Sequence, residues 1–131
     1  MKAKKKSLLI VDDNEDLCKT LKDILETKGY QAEVACDGFT AVRRAKEQVF
    51  DIALLDIVME KMEGAEAMKK IRQLSPETSC FAMTAYSNDP GVRRALANGV
   101  LRVFKKPLNI EEMIEIFDEE IAQKRREDSK V

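Results

Sequence analysis

Residues 7–14, SLLIVDDN, decide the fold. The unbroken apolar run SLLIV has strand length and reads as a strand buried on both faces, and Asp12, Asp13 and Asn14 behind it supply the side-chain acceptors that open a helix. A strand passing straight into a helix is a β-α unit, and the same alternation repeats outward from it. Leu17, Leu21, Ile24 and Leu25 share one helical face, Gly29 closes that helix, residues 31–36 read as a second strand, and Asp37-Gly38 turns into a helix carrying Ala41, Val42 and Ala45. Residues 50–56 (FDIALLD) make a third strand, followed by a loop to Gly64 and a helix with Ala65, Met68 and Ile71 inward; Pro76 ends the unit. Residues 78–84 (TSCFAMT) read as a fourth strand and 101–105 as a fifth, with a short helix over 88–98 between them, opened by Asp89-Pro90. Asn109 then caps a last helix with Ile110, Met113, Ile114, Phe117 and Ile121 inward. Its Glu111 and Glu112 sit in the first turn and Lys124, Arg125 and Arg126 near the end, as the helix dipole favours.

Strict alternation of this kind predicts an α/β fold, a doubly wound parallel sheet with right-handed crossovers and helices on both faces. No linker, repeat or low-complexity block interrupts it, so residues 1–131 are expected to form a single domain. Its core is placed at about 7–122, between a basic tail over 1–6 and a charged tail over 123–131. A chain of 131 residues buries roughly two-thirds of its unfolded surface and needs no disulfide or structural metal. No apolar run approaches the ~18 residues of a membrane span, and no signal-peptide pattern is present, so no membrane insertion and a cytoplasmic location are expected.

Histidine is absent, which removes Ser-His-Asp and Cys-His nucleophiles and His-ligated zinc together. Carboxylates, hydroxyls and lysines must carry the chemistry. Cys18, Cys36 and Cys80 are odd in number and lie among apolar residues, so they read as reduced core or near-core thiols. With 23 basic and 24 acidic side chains the net charge is -1, against the broad positive field of a direct nucleic-acid binder.

In such folds ligands gather at the carboxyl ends of the strands. Asp12 and Asp13 stand after strand one, Asp56 after strand three, Thr84 after strand four and Lys106 after strand five. Crowded carboxylates repel, and either protonation or a divalent cation with a preference for oxygen ligands relieves that repulsion; Mg2+ is the natural candidate because it leaves positions open for phosphate oxygens. A carboxylate beside it can attack phosphorus and form an aspartyl-phosphate. Lys106 offers a compact positive charge for one phosphoryl oxygen, and the Thr84 hydroxyl can donate to another.

These residues, Asp12-Asp13 after SLLIV, Asp56 in LLDIVM, Gly64, Thr84-Ala85 after CFAM and Lys106-Pro107 in VFKKP, give a chain that resembles the response-regulator receiver domains of two-component signalling over about residues 7–122. The resemblance implies a flavodoxin-like sandwich with five strands in order 2-1-3-4-5 and five helices. It also implies phosphorylation of Asp56, and Mg2+ held by Asp13, Asp56 and the Val58 carbonyl, with Asp12 acting through water. A cis peptide before Pro107 is implied as well. Thr84 and position 103 would form the switch. The partners implied are a sensor histidine kinase or phosphotransfer protein and a downstream protein target; a homodimer is admitted. Such a protein is a signalling switch rather than an enzyme, assisting only its own phosphorylation and dephosphorylation. The residues after Ile121 are too few for a DNA-binding module or catalytic effector, so the expected output is a protein-protein contact.

Three positions depart from the family pattern. Glu60 replaces the usual proline four residues past Asp56, Val103 stands where an aromatic switch residue is common, and Lys105 duplicates Lys106, leaving the site lysine to be set by register against Pro107. Phe104 points to the opposite side of its strand and cannot take the place of an aromatic at 103. Taken singly, Asp12, Asp13 and Asn14 are helix caps, Asp56 ends a strand, Thr84 is a β-branched strand residue and Lys106 is a solvated lysine. Their joint placement at strand ends reverses that reading. Tyr30 and Tyr86 are expected to be partly exposed, the methionines to be packing or loop residues, and Glu115, Asp118, Glu119 and Glu120 to form a solvated face first and a partner surface second. The competing reading within the fold is a receiver-like interaction module working without phosphorylation. A dehalogenase-like phosphotransferase would want a second aspartate at 58, where valine stands. A flavodoxin-like cofactor binder would face repulsion from Asp12, Asp13, Glu15 and Asp16.

Overall fold

The computed structural model describes residues 5–129. The elements run β1 (Lys6–Val11), α1 (Glu15–Glu26), β2 (Tyr30–Ala35), α2 (Gly38–Glu47), β3 (Ile52–Asp56), α3 (Gly64–Leu74), β4 (Ser79–Thr84), α4 (Pro90–Ala97), β5 (Val103–Lys105) and α5 (Ile110–Ser129). The strands form one parallel sheet in order β2-β1-β3-β4-β5, the doubly wound α/β architecture expected. Of the three polar residues after β1, only Asn14 caps α1, its side chain accepting from Leu17 N at 3.1 Å. Asp12 and Asp13 are thereby left to the sheet's carboxyl rim. Asp37 and Asp89 cap α2 and α4 in the same way, at 2.8 Å and 2.7 Å.

Alternation along the strands divides the core in two. Leu9 and Val11, Ala53 and Leu55, and Cys80 and Ala82 face α2, α3 and α4, in a layer that also holds Ala41, Ala45, Ala65, Ala67 and Ala95. Leu8 and Ile10, Ile52 and Leu54, and Phe81 and Met83 face α1 and α5, where Phe104, Phe117 and Tyr30 join them. Ring centroids there lie 5.0 Å apart for Phe81 and Phe117 and 5.8 Å for Phe81 and Phe104. Among the described residues no helix is long and apolar enough to cross a membrane.

Several expectations are corrected. Residues 123–129, read as a charged tail, continue α5 through Ser129; Lys124 caps the sheet's far end by donating to the carbonyls of Asp51 at 2.7 Å and Glu77 at 3.1 Å. Residues 1–4 of the basic tail lie outside the described residues, whereas Lys6 begins β1 and pairs with Asp118 at 2.9 Å. Tyr30 is buried, its hydroxyl donating to Asp118 at 2.7 Å under the Lys6 ammonium. Asp118 and Glu120 are therefore not simply solvated: the first serves Lys6 and Tyr30, and the second accepts from Ser79 at 2.6 Å. Cys18 and Cys80 are buried and Cys36 half-buried, all of them free thiols.

Candidate functional site

Parallel strands place every strand terminus on one rim, so residues far apart in sequence meet there. Asp12 is fixed at the end of β1 by its own N–H to the Ala35 carbonyl at 3.2 Å. Its Oδ1 accepts from Asn14 N at 2.9 Å, and its carbonyl accepts from the Cys18 thiol at 3.3 Å. Asp56 ends β3, and the next residue, Ile57, bonds across to the Met83 carbonyl at 3.0 Å. Lys106 is delivered by β5, its N–H held on the Thr84 carbonyl at 2.9 Å, and a cis peptide joins it to Pro107.

The lysine spans both buried aspartates. Its Nζ lies 2.6 Å from Asp12 Oδ2 and 3.2 Å from Asp56 Oδ2, while Asp56 Oδ1 accepts from Val58 N at 3.2 Å. Lys105 is exposed, so Lys106 is the lysine at the site. Asp12 and Asp56 are 1% and 6% exposed and Asp13 is open to solvent; carboxylate oxygens of all three lie within 4.8 Å of one another. Three carboxylates against one ammonium leave two negative charges uncompensated, the complement of one divalent cation with oxygen ligands.

Electrostatics follow from that imbalance. Burial, then the neighbouring Asp12 charge, push the Asp56 carboxyl up to about 6 against the pull of Lys106 and the Val58 N–H. Lys106 sits nearer Asp12, which leaves Asp56 the less compensated of the two. Burial alone would depress the Lys106 ammonium, yet its bond to Asp12 and the two carboxylate charges hold it above its ordinary value. Near neutral pH Asp56 is thus an ionised carboxylate of raised basicity, suited to nucleophilic attack. The Cys18 thiol is pushed to about 12 by burial and by Asp12, so it serves as a donor to the backbone and not as a nucleophile.

Thr84 is buried at the end of β4, and its hydroxyl accepts from Tyr86 N at 3.0 Å. Val58 is 39% exposed and Tyr86 65% exposed, beside Asp56 and Thr84 respectively in the chain. Glu60 is exposed. Val103 lies opposite Ala82 at the margin of the alanine-rich layer, while Phe104 packs on the other side of the sheet.

Sequence reading marked Gly64 as the end of a loop without finding why glycine stands there. A Cβ at 64 would overlap the Asp56 carbonyl, and Gly64 N donates to the Ile57 carbonyl at 3.1 Å, so the loop folds back directly onto the end of β3. Gly91 escaped notice altogether. Its signal was a glycine inside the first turn of a helix, a costly placement unless something packs against it.

A family model for the response regulator receiver domain matches residues 8–118. The chain is 34% identical over 131 residues to the transcriptional regulatory protein ZraR of Klebsiella oxytoca, covering all of this chain and 30% of that protein. The chain thus spans less than a third of the length of that relative. Among solved structures, a CheY-like response regulator receiver domain protein from Methanospirillum hungatei JF-1 superposes with a TM-score of 0.90 at 29% identity, covering 95% of this chain and 99% of that one. The receiver domain of a sensor histidine kinase of Pseudomonas aeruginosa PAO1, with magnesium coordinated in its active-site cleft, superposes with a TM-score of 0.82 at 26% identity, covering 91% and 99%.

Proposed function

This chain belongs to the response regulator receiver domains, and from that premise we propose that Asp56 is its phosphoryl acceptor, served by a sensor histidine kinase, a phosphotransfer protein or a small phosphodonor. The observation that carries this reading is the triad of Asp12, Asp13 and Asp56 within 4.8 Å of one another, bridged by Lys106 and short of two positive charges. Asp13, Asp56 and the Val58 carbonyl would hold Mg2+ directly and Asp12 through water. The ion, when bound, neutralises charge on the transferring phosphoryl oxygens.

An Asp56 carboxylate oxygen attacks phosphorus in line; the O–P bond forms as the bond from phosphorus to the donor's nitrogen or oxygen breaks, and the leaving group keeps that electron pair. Lys106 Nζ turns from Asp56 Oδ2 to a phosphoryl oxygen. The Thr84 hydroxyl, released from Tyr86 N, donates to another. Val103 is too short to follow Thr84 as an aromatic ring would, so the signal leaves through residues 85–98. Val58 offers no hydrogen bond to a hydrolytic water, and the exposed Tyr86 ring shields the phosphorus, which gives a long-lived phosphoryl group. The working location is the cytoplasm, and the output is a contact with a downstream protein.

Mass spectrometry after incubation with acetyl phosphate and Mg2+ tests the assignment. One acid-labile phosphoryl group is expected, dependent on Mg2+ and absent from Asp56→Asn. The same stoichiometry in Asp56→Asn would overturn it, and no phosphorylation of the native chain would leave the phosphorylation-independent interaction module in its place.

A further inference from the structure

α4 has a thin seat on the sheet: of its eight residues only Gly91 and Ala95 are buried. Two arginines supplement that seat, bridging α3 and α4 in opposite directions. Toward the rim, Arg94 of α4 grips Glu63 with Nε and Nη2 on the two carboxylate oxygens, 2.6 Å each. Glu63 stands at the N-cap position of α3 yet makes no capping bond, which leaves its carboxylate free for Arg94. At the far end Arg72 of α3 donates to the carbonyl of Asn98, the C-cap of α4, at 2.5 Å, where the helix dipole favours a cation.

The two bridges differ in exposure and in what they touch. Glu63 and Arg94 side chains are 37% and 52% exposed, so water can take over either partner. The rim bridge also leads to the acceptor. Glu63 precedes Gly64, which is bonded to Ile57, and the Ile57 side chain lies against α4 where a Cβ on Gly91 would come within 2.6 Å of its Cγ2. The segment just after Asp56 therefore holds α4 by a packing contact at Gly91 in its first turn and by an ion pair whose arginine reaches back from its last turn. At the far end Asn98 N is bonded to the Arg94 carbonyl at 3.0 Å and Val100 N to the Ala95 carbonyl at 3.1 Å, and the chain leaving the helix is fixed to the sheet, independently of the segment after Asp56, by Leu101 N on the Cys80 carbonyl at 2.9 Å.

We propose that Arg94–Glu63 is a releasable strap and Arg72–Asn98 a pivot, so that a change at Asp56 frees the amino-terminal part of α4 while its carboxyl end stays fixed. The proposal rests on the Asp56 reading for its trigger, but the strap itself exists in the resting protein. Release favours the phosphorylated form, so by reciprocity a broken strap tightens binding of a phosphoryl analogue. For an exposed pair the effect is modest, roughly two- to fivefold.

The experiment is amide hydrogen exchange on the metal-free, unphosphorylated chain, followed by titration with beryllofluoride and Mg2+. Glu63→Gln and Arg94→Gln should each speed exchange over residues 91–95 roughly two- to fivefold and leave the Leu101 amide, which is bonded to the Cys80 carbonyl of the sheet, at the native rate. The charge-reversed pair Glu63→Arg/Arg94→Glu should restore residues 91–95, and Arg72→Gln should loosen 98–100. In the titration both single neutralised variants should bind the analogue more tightly by the same factor. Native exchange over 91–95 in Arg94→Gln, or failure of the reversed pair to restore it, would overturn the strap. Release of 91–95 by Arg72→Gln alone would overturn the pivot. A native chain that ignores beryllofluoride would instead refute the Asp56 reading, and the metal-free exchange would still decide the strap.

Discussion

The two faces of the sheet are built from different materials. Toward α1 and α5 the layer is cemented by Phe81, Phe104, Phe117 and Tyr30, and α5 alone buries Met113, Ile114, Phe117 and Ile121. Toward α2, α3 and α4 eight of the eighteen buried residues are alanine and Phe50 is the single aromatic, and α4 buries only a glycine and an alanine. Large rings bury much area and interlock, so their loss is felt throughout a core; small residues let a helix sit close while giving up little when it shifts. The site straddles this divide, with Lys106 joined by β5 to the aromatic side and the segment after Asp56 in contact with α4. With Asp56 as the proposed acceptor, the contrast leads us to expect one face to hold the site still and the other to move when the site changes.

The largest expected effect tests that contrast directly. Phe117→Ala should lower unfolding free energy by about 3–5 kcal/mol, read from urea unfolding. Ala95→Gly, at the heart of α4, should lower it by only about 1 kcal/mol. Equal losses would erase the distinction between the faces.

A smaller effect belongs to the divide itself. A carboxyl that binds its proton more tightly in the folded chain contributes stability that is complete below its unfolded value, about 4, and is lost as pH rises through its folded value, about 6 for Asp56. Metal-free protein should therefore lose stability between pH 4 and pH 6 relative to Asp56→Asn. At pH 7.5 the asparagine variant should be more stable by about 1–3 kcal/mol, and Mg2+ should narrow the gap by binding only the native chain's folded state. Parallel pH profiles for the two proteins would show that Asp56 carries no such strain.

Kinetics at the rim give the smallest effect. With Asn at 58 and Glu at 86, both able to hold a water, the phosphoryl group should be lost faster than from the native chain, followed by intact mass against time. Equal or slower loss would remove Val58 and Tyr86 from any role in lifetime.

Much of this was legible in the sequence because its signals are local or periodic. SLLIV, FDIALLD and TSCFAMT could only be buried strands, and once alternation implied a parallel sheet, Asp12, Asp13, Asp56, Thr84 and Lys106 had to share a rim. Register against Pro107 separated Lys106 from Lys105. What stayed hidden depends on distance in space. Tyr30 looked partly exposed because nothing near it in sequence shows Lys6 and Asp118 waiting beside it. The dipole-matched charges at Lys124, Arg125 and Arg126 were legible as a helix end, but the anchor that carries the helix on to Ser129, Lys124 reaching the carbonyls of Asp51 and Glu77, was not. Glu63–Arg94 joins two helices across 31 positions and leaves no periodic trace.

The most direct test of a holding face and a moving face is amide hydrogen exchange with and without beryllofluoride and Mg2+. Changed protection is expected over residues 85–98 and little change along α1 and α5, with residues 101–106 responding weakly because Val103 cannot act as a ring would; Val103→Tyr should strengthen that last response without moving the phosphorylation site. Strong new protection confined to residues 101–106, with none over 85–98, would contradict the division into a holding face and a moving face.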